Sequence, residues 1–148
     1  MATVNDVIVE WSPFWIDYKS LKRTIKDIVE YNDQLQTANG VRSTEQLRKQ
    51  LCETAAEVEF FRCLKRELKK VSTFFANCEI VCCIRRDQLW DGLSMLKKQN
   101  DGEGDAAWTR MLASCVKFYK DVLLLENYAI MNYCGFSKIL KKHDKRTG

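Results

Sequence analysis

A chain of 148 residues, 46% hydrophobic and 30% charged, has the length and make-up of one globular domain rather than a disordered segment. No apolar run approaches the ~18 residues of a membrane span, and roughly two-thirds of a chain this long is buried on folding, enough for an independent core. One Pro and six Gly leave little turn chemistry, which favours long helices over many short strands, and the net charge of +4 is modest but gathered near the C-terminus.

In residues 1–11, Val4, Val7, Ile8 and Trp11 have helical spacing and predict a short first helix. Ser12-Pro13 is a good helix start, a preferred N-cap followed by a residue that loses no needed N–H. A second helix over 13–35 then has Phe14, Leu21, Ile25 and Ile28 as its core face. Tyr18 and Lys22 stand one turn apart on the shoulder of that face, with Lys19, Arg23 and Lys26 further toward solvent. A phenol and an ammonium side by side suit a phosphate; a core-edge aromatic beside a snorkelling lysine is the plain alternative.

Asn39-Gly40 predicts a turn, and Ser43 or Thr44 caps a helical region reaching to the Asp101-Gly102-Glu103-Gly104-Asp105 loop. Within it Phe61, Leu64, Leu68, Val71, Phe75, Cys78 and Cys82 alternate steps of three and four, a heptad seam that Leu89, Leu93 and Leu96 continue. A straight helix over 44–99 would be ~84 Å long, so a break is expected before Ala55. A further helix over 106–134 carries its periodicity on Trp108, Met111, Leu112, Cys115, Tyr119, Val122 and Ala129, and its natural partner is the preceding helix, as an antiparallel hairpin. Gly135 is expected to turn a corner into a short basic helix.

That basic stretch is the most pointed feature of the chain. Lys138, Lys141, Lys142 and Lys145 fall at i, i+3, i+4 and i+7 and share one helical face, while Phe136, Ile139, Leu140 and His143 take the other. Four like charges on one face repel by a few tenths of a kcal/mol per pair. A polyanion would neutralise them; a solvated basic face is the alternative that spacing leaves open.

Other chemistry is thin. The seven cysteines show no CxxC pair and only one His accompanies them, so zinc is not expected; at apolar helical positions they read as reduced core residues. Gly102-Glu103-Gly104 carries an acid that would repel phosphate, and His143 has no nucleophile placed for it, so the chain is not expected to be an enzyme. The aromatic residues do not interleave with a basic stripe, so direct nucleic-acid binding is not expected either.

Three separated stretches resemble one family. Trp15-Ile16-Asp17-Tyr18-Lys19-Ser20-Leu21-Lys22 resembles the YIDYxxLK segment of SPX domains. Glu59-Phe60-Phe61-Arg62-Cys63-Leu64-Lys65-Arg66-Glu67-Leu68-Lys69-Lys70-Val71-Ser72-Thr73-Phe74-Phe75 resembles their EFFxxLxxELxKVxxFF signature. Asn132-Tyr133-Cys134-Gly135-Phe136-Ser137-Lys138-Ile139-Leu140-Lys141-Lys142-His143-Asp144-Lys145 resembles their NYTGFxKILKKHDK segment. The resemblance implies an all-α fold: an N-terminal helical hairpin packed on two long antiparallel helices, a three-helix-bundle-like core, followed by the short basic helix.

It also implies a single SPX domain over 1–148, a cytoplasmic sensor of phosphate status whose ligand is inositol hexakisphosphate or an inositol pyrophosphate. By the family's pattern, Tyr18, Lys22 and Lys142 form the phosphate cluster and Lys138, Lys141 and Lys145 a flanking lysine surface. Lys19 and Lys26 are further candidates. Implied partners are other domains of a parent phosphate transporter or polyphosphate polymerase, or a signalling or transcription-factor protein. Two departures stand out. The family usually begins Met-Lys-Phe-Gly-Lys where this chain has Met1-Ala2-Thr3-Val4-Asn5, and it continues past Gly148 into another helix, so the chain is expected to belong to a larger protein. The competing reading is a helical interaction or dimerisation module whose basic helix contacts anionic lipid or another polyanion.

Overall fold

In the computed structural model, which describes residues 10–37, 44–98 and 104–147, the regular structure is helical: a 3-10 turn at Ser12–Phe14, then α1 (Tyr18–Thr37), α2 (Thr44–Lys98) and α3 (Gly104–Thr147). The all-α class holds. Most of the expected first helix, the Asn39-Gly40 turn and most of the glycine-rich loop fall outside the described residues. Those residues fall into two compact units. One comprises the chain up to Val71 together with Asn132 onward, and the other is Ser72–Met131.

The start of α1 differs from the expectation at Ser12-Pro13. A turn does form there, but it begins at Ser12 with Trp11, not Ser12, at its N-cap and lasts three residues, and Trp15 is extended at φ −69° and ψ 154°. The reason lies in what the next amides bind. Ile16 N–H donates to Asn132 Oδ1 at 2.9 Å, and Asp17 N–H donates to Glu67 Oε2 at 2.8 Å. Amides held by side chains of the long helices cannot propagate a helix from Pro13. Asp17 becomes the cap instead: its Oδ1 accepts Ser20 N–H at 2.9 Å, and its carbonyl accepts Leu21 N–H at 3.2 Å. Phe14 therefore precedes the helix and is exposed rather than on the core face.

The expected break before Ala55 is absent, and α2 runs unbroken for 55 residues. No Pro interrupts it, and Ala55-Ala56-Glu57 are strong helix formers. Nor does Gly135 turn a corner. α3 passes through it, and the basic stretch forms the last turns of that helix. A Cβ at Gly135 would lie 3.0 Å from Ile16 Cγ2, so the missing side chain makes room for the clamped segment before α1.

In the first unit the core is Leu21, Ile25 and Ile28 of α1, Phe60 and Cys63 of α2 and Ile139 of α3, with Ile16, Tyr18, Ala56 and Leu64 packed against it. Burying each large side chain contributes about 1.5–3 kcal/mol. The heptad seam holds here only in part: Leu64 packs against the core and Val71 is buried, as expected, but Phe61 and Leu68 are about half exposed, and Phe60, Cys63 and Glu67 face inward in their place. From Phe75 the seam is as expected, with Phe75, Cys78, Cys82, Leu89, Leu93 and Leu96 all half-buried.

In the second unit α2 and α3 pair antiparallel. The Phe74 and Tyr128 rings lie 5.1 Å apart, Arg85 meets Asp121 at 2.5 Å, and Gly92 faces the tip of Met111. Of the expected α3 seam, Met111, Cys115 and Ala129 are half-buried, whereas Trp108, Leu112, Tyr119 and Val122 are exposed, and Phe118, Leu125 and Tyr128 pack in their place. Six cysteines among the described residues are free. Cys63 is buried, but Cys83 and Cys134 are exposed, so the core reading does not extend to every thiol.

Candidate anion-binding groove

The geometry of the basic site begins with the clamp on Ile16 and Asp17, because it fixes where the first turn of α1 lies. From that start Lys19, Lys22, Arg23 and Lys26 follow at i, i+3, i+4 and i+7 on one face. At the other end of the sequence, the last turns of α3 are anchored by two inward residues. Ile139 is fully buried, and His143 is buried with its ring stacked on Phe60 at 4.5 Å and 11°. The stack, with Phe61 edge-on at 5.3 Å, holds the helix face that carries Lys142 and Arg146.

These faces meet in a groove of about 640 Å³, whose cations are Lys19, Lys22, Arg23 and Lys26 from α1 and Lys142 and Arg146 from α3. Ile25 and Val29 supply apolar wall. Among the described residues, Glu30 is the one carboxylate in the lining, and its Oε1 lies 2.8 Å from Lys26 Nζ. The hydrogen bond and charge of Glu30 raise the pKa of Lys26 above the ordinary lysine value. Among the described residues, six cations line the groove against one carboxylate, an excess of positive charge that attracts anions. The arginines add planar forks that grip a phosphate through two N–H groups, while the lysines act as mobile point charges.

Lys22 and Lys142, expected to act together, line the same groove, and so do Lys19 and Lys26. Tyr18 is half-buried against the core cluster and does not line the groove. Lys138, Lys141 and Lys145 are exposed on α3 outside the lining. Arg23 and Arg146 are groove residues that the sequence pattern did not single out. Each stands one turn from a groove lysine, Arg23 from Lys19 and Arg146 from Lys142, so the same spacing rule reaches both.

His143 is structural. Its Nδ1 lies 3.4 Å from both Asp144 Oδ1 and Thr147 Oγ1, and the Thr147 hydroxyl donates to the His143 carbonyl at 3.0 Å. Its Nε2 is buried and has no hydrogen-bond partner among the described residues. Among those residues, no three His, Cys, Asp or Glu side chains gather to hold a metal, and no helix is long and apolar enough to cross a membrane.

A family model described as the SPX domain matches residues 105–148. Two proteins of Arabidopsis thaliana, SPX domain-containing protein 2 and SPX domain-containing protein 1, are 30% and 31% identical to the chain over 98% of it. The chain spans about half of their length, 50% and 53% respectively. An SPX domain-containing membrane protein of Oryza sativa subsp. indica is 29% identical over 97% of this chain, which covers 18% of that protein.

Proposed function

Because the chain belongs to the SPX domain family, whose members are regulatory domains of phosphate homeostasis, we propose that it senses phosphate status by binding an inositol polyphosphate or pyrophosphate across α1 and the end of α3. The observation that carries this reading is that Lys22 and Lys142, from opposite ends of the sequence, line one groove. Inositol hexakisphosphate presents phosphates in many directions, which suits lysines and arginines arriving from two helices better than a single fork would. Orthophosphate engages too few of them to bind well. Tyr18 packs outside the groove lining, one turn before Lys22, so its hydroxyl serves only a ligand that extends past the groove, and Lys138, Lys141 and Lys145 extend the positive surface along α3. The domain regulates and does not catalyse. Its output passes, in the cytoplasm, to other domains of a phosphate transporter or polyphosphate polymerase, or to a signalling or transcription-factor partner.

Calorimetry with inositol hexakisphosphate tests the reading. Lys22→Ala and Lys142→Ala should each weaken binding by about tenfold or more, as the loss of a charge-assisted contact worth roughly 1.5–3 kcal/mol predicts. The helical circular dichroism should stay unchanged. The affinity should fall steeply with added salt. Two variants that bind like the parent chain would remove the site.

One observation favours a second reading. The Ser72–Met131 unit carries a largely apolar groove walled by Phe75, Phe118, Val122 and Ile130, with Ile80 and Ile84 also exposed. A protein-interaction module would use such a surface, and partner binding or self-association indifferent to inositol hexakisphosphate would favour it.

A further inference from the structure

Glu30 is an anomaly in a groove made for anions. It lines the cavity with six cations and pairs with Lys26, one turn before it on α1. Both side chains are largely exposed, 73% for Lys26 and 54% for Glu30, so the pair stands in solvent at the groove wall. Helix stabilisation explains it poorly. A Lys placed four residues before a Glu is the weaker orientation for such pairs, because it opposes the helix dipole. A carboxylate in this position also lowers the attraction of the groove for any anion.

The geometry points to Glu30 as a built-in counter-anion, an affinity-setting residue that holds Lys26 until a ligand with enough phosphate charge displaces it. This rests on the groove being the inositol polyphosphate site. A phosphate engaging only Lys22 and Lys142 leaves the Lys26–Glu30 pair intact. A ligand that fills the groove must take the Lys26 ammonium from the Glu30 carboxylate, and its gain there is the difference between two salt bridges. Glu30 thereby lowers the affinity for groove-filling ligands, and occupancy responds at a higher ligand concentration than the six cations alone would set. No bond is made or broken; the ammonium exchanges one anionic partner for another.

The test compares Glu30→Gln with Asp27→Asn. Asp27 is exposed on α1 next to Lys26 and outside the groove lining, so the second variant removes the same charge from almost the same place. Against inositol hexakisphosphate in low-salt buffer, Glu30→Gln should bind about three- to fivefold tighter than the parent, the upper end of what a solvent-screened pair contributes. Asp27→Asn should stay within about twofold on the same grounds. In protein labelled with ¹³C-glutamate, the Glu30 carboxyl resonance should move during the titration as Lys26 leaves it. If the two variants change affinity alike, or the Glu30 resonance stays fixed, the counter-anion role is overturned. Lys22→Ala and Lys142→Ala, run alongside, separate the two failures. If they lose binding while Glu30→Gln has no effect, only the role of Glu30 falls; if they bind like the parent, the groove reading falls and takes Glu30 with it.

Discussion

Tyr128 shows how much one buried side chain ties stability to conditions. It is fully buried on α3 with its ring against Phe74, and burial, with a lesser contribution from Cys78, pushes its phenol up to about 12. The ordinary tyrosine value is about 10. Below pH 10 both folded and unfolded chains keep the proton, and the residue adds no pH dependence. Between 10 and 12 the unfolded chain releases it while the folded chain cannot, so stability falls as pH rises, by about 2 kcal/mol in all. Urea unfolding at pH 9 and near pH 12 should show the parent losing that much more than Tyr128→Phe. Parallel losses in both proteins would contradict the buried phenol. Cys63, Cys78 and Cys82 are shifted in the same direction, chiefly by burial, with the Glu59 hydrogen bond adding to it at Cys63. Their thiols stay protonated at neutral pH and are poor nucleophiles there.

At the scale of elements the two inward-facing glycines carry different weight. A Cβ at Gly92 would meet the terminal methyl of Met111 at 2.6 Å, and that flexible end can move aside. At Gly135 the neighbour is Ile16, whose amide is held by Asn132. Gly135→Val should therefore destabilise the protein by about 1–3 kcal/mol, as overpacking does, and Gly92→Ala by less. Thermal unfolding measures both, and a Gly135→Val protein as stable as the parent would show that the segment before α1 yields freely. The same contact explains what the sequence could and could not tell. The periodicity of Leu21, Ile25 and Ile28 was sufficient to place α1 against a core. It could not place the start of α1, because the decision belongs to Asn132 and Glu67, polar residues that an apolar pattern treats as surface. Glu67 also hid the phase of the α2 seam. With a carboxylate at the core position and Phe60 beside Phe61, the spacing placed Leu64 and Val71 correctly but took Phe61 for Phe60 and Leu68 for Glu67. Gly135 looked like a corner because a glycine that makes room and a glycine that turns the chain are the same letter. The charge pattern was more legible: 138–145 announced a basic face, and Lys22 and Lys142 do share a groove. The sequence did not show that the groove draws on Arg23 and Arg146 and leaves Lys138, Lys141 and Lys145 outside, since that depends on how α1 lies against α3.

For the molecule as a whole, a net charge of +4 conceals a groove far more positive than the average surface. Mutual repulsion among the groove cations opposes folding, so under the proposed function an anion that neutralised them would stabilise the fold. The clamp before α1 makes that linkage readable. The Ile16 and Asp17 amides belong to no helix, yet side chains from α3 and α2 hold their hydrogens. Their exchange with solvent deuterium is timed by how often Asn132 and Glu67 let go, not by the fraying of a helix end. A ligand spanning α1 and α3 resists that release without touching either amide. Both hydrogens should slow with inositol hexakisphosphate present, while the amides of Arg85 and Leu89 in the other unit keep their rates. Unchanged rates at Ile16 and Asp17 would mean that the groove fills without tightening its own foundation. Two backbone protons lying outside every helix are thus a built-in gauge of whether the basic faces are being held together.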